Sequence, residues 1–343
     1  MSATPERRGE DGEPSAFEQT FERGLEAMAG RIDPEASGIA GLKRLSGGAS
    51  QELWRFDLIK GEAKRPVILR RAPGGDRVSE TAVGLENEAA LIVAAAKAGV
   101  PVPPVLYVLQ PGDGLGRGFV MGFVEGETLG GRIVKGEAFA EVRPRLARQC
   151  GEIIAKIHTL DPADFPGLRR STARGVLEQY HASYRASNWP RPVFDLAFRW
   201  LSEHCPPDPE RPCLVHGDFR NGNLMFGPDG VRAVLDWELA HVGDPMEDLG
   251  WICVNSWRFG QVHKTVGGFG DLNDLFDGYE AASGARLDRA AAKWWEVLGS
   301  LKWGVMCAGM PPVFRTVDPT VERAVIARRA SETEVDLMRL LAS

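Results

Sequence analysis

Hydrophobic positions near the start of the chain follow a helical spacing and then give way to strand-like runs. Apolar residues three or four positions apart predict an amphipathic helix that ends before Pro34. These residues are Phe17, Phe21, Leu25, Met28 and Ile32. Three short apolar runs follow, with glycine or charged segments between them, as in consecutive antiparallel hairpins. They cover residues 42–46, 53–59 and 66–71.

Residues 83–98 are rich in Ala, Leu and Glu and precede Gly99, which predicts one helix with a glycine stop. Strand-like runs at 105–109 and 118–124 then complete a sheet of five strands. Beyond residue 125 the pattern is mainly helical, with strands and loops only at 213–236. The predicted helices cover 138–160, 176–188, 193–204, 271–283, 288–308 and 320–341.

These patterns predict an α+β chain with two lobes, in line with a length of 343 residues. Residues 1–16 are expected to form a disordered tail. Residues 17–124 are expected to form an N-terminal lobe with an antiparallel five-stranded sheet and one helix. Residues 125–343 are expected to form a mainly helical C-terminal lobe.

Composition and charge exclude several classes of function. A formal net charge of -6 argues against a nucleic-acid partner, because such binding depends on many Lys and Arg side chains. No run of about 18 apolar residues predicts a membrane span, and the N-terminus lacks the apolar core of a signal peptide. The five cysteines form no C-x-x-C pair, so neither a zinc site nor a disulfide framework is predicted. We therefore expect a cytoplasmic location.

Residues 214–226 and the aspartate that follows carry the most specific chemistry. Asp218 and Asn223 have the spacing of the kinase catalytic loop, and Asp236 stands where the D-F-G aspartate would. Any one of these could be an ordinary loop residue, since Asp, Asn and Gly favour turns. The ordered set instead resembles the phosphate-transfer motif of the aminoglycoside phosphotransferase and choline kinase families.

The resemblance implies a protein-kinase-like two-lobe fold and transfer of a phosphate from ATP to a hydroxyl group. It implies that 17–124 is the nucleotide-binding lobe and that 125–343 carries the catalytic and acceptor-binding groups. It implies that Asp218 is the catalytic base and that His216 braces the catalytic loop. Asn223 and Asp236 would bind Mg²⁺, since phosphoryl transfer needs oxygen ligands for the metal that bridges the phosphates. Asn221 is not the matching asparagine, because Asn223 is the one that directly precedes the apolar run 224–226.

The N-terminal lobe supplies the expected nucleotide contacts. Gly47, Gly48 and Ser50 lie between two predicted strands, where backbone amides could cover the phosphates, although such a segment can equally be a plain hairpin turn. Met121 and Phe123 lie in a segment that resembles the family's adenine-binding hinge. An ordinary buried strand explains the same residues.

One strand departs from the common kinase pattern. Residues 67–70 resemble the kinase V-A-I-K strand, and strand alternation places Ile68 and Arg70 on one face. The resemblance implies that Ile68 lies against adenine and Arg70 near the phosphates. Most kinases have lysine at the position of Arg70, and arginine is not its equivalent. Arg71 is the alternative if the register shifts by one residue. Glu88 is the expected ion-pair partner on the inserted helix, with Glu86 as the second choice.

Two further features of the C-terminal lobe have structural interpretations. Asp248 lies near a predicted helix start and is interpreted as a cap for backbone amides. The tryptophans of this lobe are interpreted as core or pocket wall. They are Trp251, Trp257, Trp294, Trp295 and Trp303.

The acceptor is expected to be a small molecule with a hydroxyl group, because few residues separate Asp236 from Asp244 and no long activation segment fits. The chain resembles a branch with the kinase domain associated with acyl-CoA dehydrogenases, which implies a hydroxyacyl-CoA or hydroxy acid. An aminoglycoside kinase and a regulatory pseudokinase are the alternatives. Four arginines favour an anionic acceptor, unless they only form a solvated helix face. They are Arg315, Arg323, Arg328 and Arg329.

Overall fold

The structure is a computed structural model that describes residues 16–45, 51–72, 82–317 and 319–342. It divides into two compact units. The first comprises Met1–Val93 and Pro103–Val124, and the second comprises Ala94–Val102 and Glu125–Ser343. The sequence pattern predicts that 94–102 belongs to the first lobe. This segment contacts the second unit because Val234 N–H donates to Pro101 O at 2.8 Å and Lys156 Nζ donates to Gly99 O at 3.2 Å.

The first unit is an antiparallel five-stranded sheet with two helices, and the predicted sheet with its inserted helix is confirmed. Its elements are α1 (Ala16–Ile32), β1 (Gly38–Leu45), β2 (Glu52–Lys60), β3 (Ala63–Arg71), α2 (Leu85–Lys97), β4 (Val105–Val108) and β5 (Gly118–Gly122). The strand order is β1-β2-β3-β5-β4. The last turn of α2 already belongs to the second unit.

Alternation along the strands fixes which face each side chain occupies. Phe21 and Leu25 of α1 share a buried cluster with Phe56 of β2 and with Val67 and Leu69 of β3. Because successive side chains of a strand point to opposite faces, Ile68 and Arg70 lie on the face away from this cluster. In the ladder, Ile68 pairs with Met121 and Arg70 pairs with Phe119. The predicted register of β3 therefore agrees with the burial of its neighbours.

The second unit is mainly helical. Its helices are α3 (Gly130–Lys135), α4 (Arg143–Ile157), α5 (Ala173–Ala186), α6 (Pro192–Glu203), α7 (Met246–Trp251), α8 (Leu272–Ser283), α9 (Arg289–Ala308), α10 (Met310–Thr316), α11 (Val321–Arg328) and α12 (Ala330–Leu341). Its strands are β6 (Cys213–Val215), β7 (Leu224–Gly227), β8 (Gly230–Val234) and β9 (His241–Gly243), and they pair as β6-β9 and β7-β8. Within the described ranges, no helix is long and apolar enough to cross a membrane.

Two predicted helices differ from the observed ones. The helix expected at 138–160 starts only at Arg143, after a short 3-10 turn at Glu137–Phe139. The helix expected at 320–341 is two helices, since α11 ends at Arg328 and α12 begins at Ala330. The sequence pattern does not predict α3, α7 and α10, which have only six or seven residues each. So few residues give no helical repeat for a sequence pattern to show.

Helices α4 and α8 pack closely because glycine faces the partner helix on both sides. A Cβ built on Gly151 of α4 would lie 2.0 Å from Leu275 O, and one on Gly278 of α8 would lie 2.1 Å from Arg148 O. Real side chains do not reach such distances, so the two backbones meet where only glycine fits. The α4 helix is followed directly by His158, whose position matters for the site described below.

The close approach predicts that Gly151→Ala destabilises the protein. The added methyl group must push α4 away from α8, and overpacking of this kind costs about 1 to 3 kcal/mol. Gly131→Ala in α3 is the matched control, because its Cβ would meet only Phe259 Cδ1, at an ordinary 3.8 Å. Denaturant unfolding should show a lower midpoint for Gly151→Ala and an unchanged or higher one for the control. Equal midpoints would contradict the proposed packing.

Candidate active site

The loop between β6 and β7 is held by a buried carboxylate. Asp248, in α7, accepts hydrogen bonds from the backbone N–H of His216 at 2.8 Å and of Gly217 at 2.9 Å. Gly217 has φ +79°, and a Cβ there would lie 2.6 Å from Leu239 O, so this turn needs glycine. Asp248 does bind backbone amides, as the sequence suggested, but they belong to the catalytic loop and not to its own helix.

A buried histidine supports the same carboxylate. His158 Nε2 lies 3.2 Å from Asp248 Oδ2, and His158 Nδ1 lies 2.9 Å from the Tyr279 hydroxyl. Burial alone would raise the pKa of Asp248, but the hydrogen bond from His158 and the nearby positive charge hold it below its ordinary value of 3.8. Burial alone would lower the pKa of His158, but Cys213 and Asp248 raise it well above 6.5. The two groups therefore form a buried ion pair.

His216 braces the loop with both ring nitrogens. Its Nδ1 lies 3.2 Å from the backbone N–H of Asp218, and its Nε2 lies 3.0 Å from Leu235 O. An amide can only donate and a carbonyl can only accept, so the ring is the neutral tautomer with its proton on Nε2. The fully buried ring thus joins Asp218 to the residue that precedes Asp236.

Three donors surround the carboxylate of Asp218. Arg220 Nε donates to Oδ1 at 2.9 Å, and Trp251 Nε1 donates to the same oxygen at 2.6 Å. Asn223 Nδ2 donates to Oδ2 at 2.6 Å. The Asp218 side chain keeps 14% of its surface exposed, so a small group can still reach it. Trp251 and Arg220 were not predicted as site residues, because nothing in the local sequence shows that the α7 tryptophan meets this loop.

The two asparagines of the loop have different surroundings. Asn223 Nδ2 donates to Asp218 O and Oδ2, and its backbone carbonyl accepts from Leu235 N–H. Its amide oxygen is therefore the atom left to face a cation. Asn221 Nδ2 instead donates to the carbonyls of Trp257 and Gly267, at 3.0 and 2.6 Å. Asn221 thus braces the loop against the segment that contains Trp257 and Gly267.

Asp236 has an unusual backbone conformation for a non-glycine residue. It has φ +63° and ψ 65° and directly precedes a 3-10 turn at Trp237–Leu239. Aspartate tolerates this left-handed region better than most side chains, and such outliers are concentrated at functional sites. The conformation sets the direction of the Asp236 carboxylate at the end of β8.

In the first unit, Arg70 and Glu88 form a buried ion pair. Arg70 Nε lies 3.1 Å from Glu88 Oε2, and the two side chains are only 11% and 2% exposed. Glu86, the second choice, instead pairs with Arg117 on the surface. Arg71 lies on the opposite face of β3, with its guanidinium carbon 4.6 Å from the centroid of the Phe21 ring. The alternative register is therefore not the one that the structure has.

The remaining residues predicted to contact the nucleotide have different surroundings in the structure. Ile68 is buried, and Phe123 is 38% exposed. The backbone N–H of Phe123 donates to Pro66 O at 3.2 Å, so this amide is already occupied within the sheet. Met121 is partly buried, in β5. The segment that contains Gly47, Gly48 and Ser50 lies outside the described residues.

The Asp248 anchor predicts a loss of stability in Asp248→Asn. The asparagine amide has one acceptor oxygen and one NH₂ donor, whereas two backbone N–H groups and His158 all need an acceptor at this point. The variant also breaks a buried ion pair, which lowers the free energy of unfolding by about 3 to 5 kcal/mol. A folded-state pKa below 3.8 means that Asp248 contributes stability above about pH 4 and loses it as pH falls through that folded-state pKa. Denaturant unfolding should be measured at several pH values. The difference in the free energy of unfolding between wild type and variant should be large near neutral pH and smaller in acid.

Asp244→Asn is the comparison variant for this experiment. Burial raises the pKa of Asp244 above 3.8, so the folded state binds its proton more tightly than the unfolded state does. This carboxyl group therefore loses stabilising effect as pH rises above about 4, the opposite trend. If the stability difference between wild type and Asp248→Asn does not change with pH, ionised Asp248 does not anchor the loop.

Comparison with known proteins places this arrangement in a family. The family model described as "Phosphotransferase enzyme family" matches residues 41–295. Acyl-CoA dehydrogenase family member 10 of Mus musculus is 29% identical over 66% of this chain. The chain spans only 21% of the length of that relative. Both findings agree with the resemblance seen in the sequence.

Two crystal structures show the same fold. An aminoglycoside-phosphotransferase-like protein from Ralstonia eutropha has a TM-score of 0.71 at 24% identity, with 92% of this chain and 97% of that chain covered. A spectinomycin phosphotransferase in complex with ADP and spectinomycin has a TM-score of 0.60 at 12% identity, with 88% of this chain and 94% of that chain covered. On the match of the family model over residues 41–295, this chain belongs to the phosphotransferase enzyme family.

Proposed function

We propose that this protein transfers the γ-phosphate of ATP to a hydroxyl group of a small molecule, with Mg²⁺ as the metal. The single observation that carries the proposal is the Asp218 carboxylate, which three donors hold in place while part of it stays exposed. A carboxylate in this state can orient a hydroxyl group and accept its proton as the oxygen attacks phosphorus. The structural neighbour that contains ADP supports a nucleotide as the donor.

The oxygen atoms of Asn223 and Asp236 fit Mg²⁺, which prefers oxygen ligands and keeps several waters and phosphate oxygens. The hydrogen bonds of Asn223 Nδ2 to Asp218 turn its amide oxygen toward other partners. In the described part of the chain, no three His, Cys, Asp or Glu side chains form a metal cluster. Asn223 and Asp236 would hold the ion, which would neutralise phosphate charge during transfer.

The nucleotide contacts proposed for the first unit centre on Arg70. Its Nε meets Glu88, and its planar guanidinium group has the fork of N–H donors that matches the oxygens of a phosphate. Ile68 on the same face would contact adenine, and Met121 and Phe123 would line the base. Gly47, Gly48 and Ser50 are proposed to cover the phosphates with backbone amides. The Arg70–Glu88 pair weakens the case for a pseudokinase.

The acceptor that we propose is a hydroxyacyl-CoA or a related hydroxy acid. Support comes from the acyl-CoA dehydrogenase family member that matches two thirds of this chain. An aminoglycoside or a similar antibiotic is the second candidate, because a neighbour of the same fold is a spectinomycin phosphotransferase. An acceptor pocket can change while the phosphoryl-transfer machinery stays the same.

The C-terminal arginines do not decide between these acceptors. Arg315 and Arg328 are exposed, whereas Arg329 Nε pairs with Glu332 at 3.2 Å. Arg329 also lines a cavity of about 380 Å³ together with Glu332 and Asp336. Because carboxyl groups accompany the arginine there, the cavity is not uniformly positive. The proposal of an anionic acceptor is therefore supported by the relatives and not by these arginines.

An ADP-release screen with Mg-ATP tests the proposal and ranks the acceptors. The panel contains hydroxyacyl-CoAs, hydroxy acids, aminoglycosides and choline. Asp218→Asn should lower kcat roughly a hundredfold to ten-thousandfold while ATP affinity stays near wild type, because only the proton acceptor is lost. Asp236→Asn should instead remove the Mg²⁺ dependence of nucleotide binding in calorimetry.

Asp229→Asn is the control for both variants, because Asp229 is an exposed turn residue that pairs with Arg232. It should behave as wild type. If Asp218→Asn keeps the wild-type kcat, Asp218 has no role in the reaction and the proposed function is wrong.

The Arg70–Glu88 pair predicts a large effect of Arg70→Ala on ATP binding. Truncating one partner of a desolvated charge pair costs about 2 to 4 kcal/mol, and Arg70→Lys should recover only part of that loss. Arg117→Ala is the matched control, because Arg117 pairs with a glutamate of the same helix on the surface. Exposed pairs of this kind contribute about 1 kcal/mol or less. Equal ATP affinities for Arg70→Ala and Arg117→Ala would exclude Arg70 as a phosphate ligand.

A further inference from the structure

The two oxygens of Asp218 are not equivalent. An ionised carboxylate has about four lone-pair positions, two on each oxygen. Trp251 Nε1 and Arg220 Nε occupy both positions of Oδ1. Asn223 Nδ2 occupies one position of Oδ2. Within the described ranges, this leaves a single open position, and it lies on Oδ2.

We infer that Oδ2 of Asp218 is the atom that takes the proton of the acceptor, and that Trp251, with Arg220, is a positioning residue that fills Oδ1. The inference rests on the proposed function and names the geometry of the same site. In the step, the O–H bond of the acceptor breaks and its proton moves to Oδ2. The acceptor oxygen bonds to the γ-phosphorus as the bond to the bridging oxygen breaks, and that electron pair leaves with ADP.

The indole of Trp251 is a rigid donor. Only 6% of Trp251 is exposed, and its ring centroid lies 5.3 Å from that of Trp257. Lys302 Nζ lies 4.6 Å from the Trp251 ring centroid on the ring face, where a cation is attracted to the π electrons. Contacts on its ring therefore fix the direction of the N–H. An indole can only donate, so it cannot compete with Asp218 for the proton.

One helix positions both the loop backbone and the carboxylate. Asp248 and Trp251 are three residues apart in α7, so they lie on neighbouring positions of one helix face. Asp248 binds the amides of His216 and Gly217, and Trp251 binds the side chain of Asp218. A short rigid element thus sets the place of the loop and the rotation of its carboxylate together.

Arg220 is the second donor to Oδ1 of Asp218, beside Trp251. Its guanidinium carbon lies 4.6 Å from the Trp257 ring centroid, and Arg220 Nη1 donates to Asn221 O at 2.9 Å. These contacts direct Nε at Asp218. Without either donor the carboxylate could rotate, and the oxygen that meets the acceptor would no longer be fixed.

Trp251→Phe tests the inference, because it removes the N–H donor and keeps a ring in the cluster. Trp303→Phe is the matched control. Trp303 packs against Trp257 in the same cluster, with the two rings tilted by 56°, and its buried indole nitrogen has no hydrogen-bond partner among the described residues. ADP release is measured with Mg-ATP and hydroxybutyryl-CoA, and with water as the acceptor in ATP hydrolysis. Thermal unfolding is recorded for each variant.

We expect kcat of Trp251→Phe to fall roughly 10- to 100-fold, the scale of a lost hydrogen bond to a charged group. The KM for ATP and the unfolding midpoint should match those of Trp303→Phe. A merely structural role would lower the midpoint and change both kinetic constants. Arg220→Met is the second variant if Trp251→Phe does not fold, and its kcat should fall in the same range.

The outcomes separate the inference from the function on which it rests. If Asp218→Asn is inactive while Trp251→Phe and Arg220→Met both keep the kcat of Trp303→Phe, the positioning role is wrong and the proposed function stands. If wild type has no turnover, or Asp218→Asn keeps it, the proposed function and the inference both fail.

Discussion

The catalytic loop depends on one buried carboxylate. Asp248 accepts the N–H groups of two consecutive residues, His216 and Gly217, at a turn where the backbone has no strand or helix partner. A buried amide without an acceptor is costly, and the charge on Asp248 makes these bonds stronger than neutral ones. His158 supplies the compensating charge that a buried carboxylate requires. If this anchor is absent, His216 and Asp218 lose their fixed positions.

The sequence predicts most of the first unit because its signals are local. Alternation of buried residues such as Phe56 and Leu58 along β2 defines the strand, and the same alternation separates Arg70 from Arg71. The spacing of Asp218, Asn223 and Asp236 is also local, since one loop and one hairpin carry all three. These are the parts of the site where neighbouring residues decide the geometry.

The rest of the site could not be predicted because it comes from tertiary packing. Helix α7 has six residues, too few for a helical repeat to be visible, yet it provides both Asp248 and Trp251. His158 follows α4, and its partners Asp248 in α7 and Tyr279 in α8 are far from it in sequence. The break between α11 and α12 falls at Arg329, where no glycine or proline marks it. Long-range partners of this kind leave no spacing signal along the chain.

The central claim is that Asn223 and Asp236 hold the metal while Asp218 stays free to accept a proton at Oδ2. The most direct measurement is a crystal structure of the full chain with Mg²⁺ and a non-hydrolysable ATP analogue. The account predicts Mg²⁺ bound by the Asn223 amide oxygen and the Asp236 carboxylate, with Trp251 and Arg220 still on Oδ1 of Asp218. A metal ion ligated by Asp218, or a nucleotide bound without contact to Asn223, Asp236 or their metal, would contradict it.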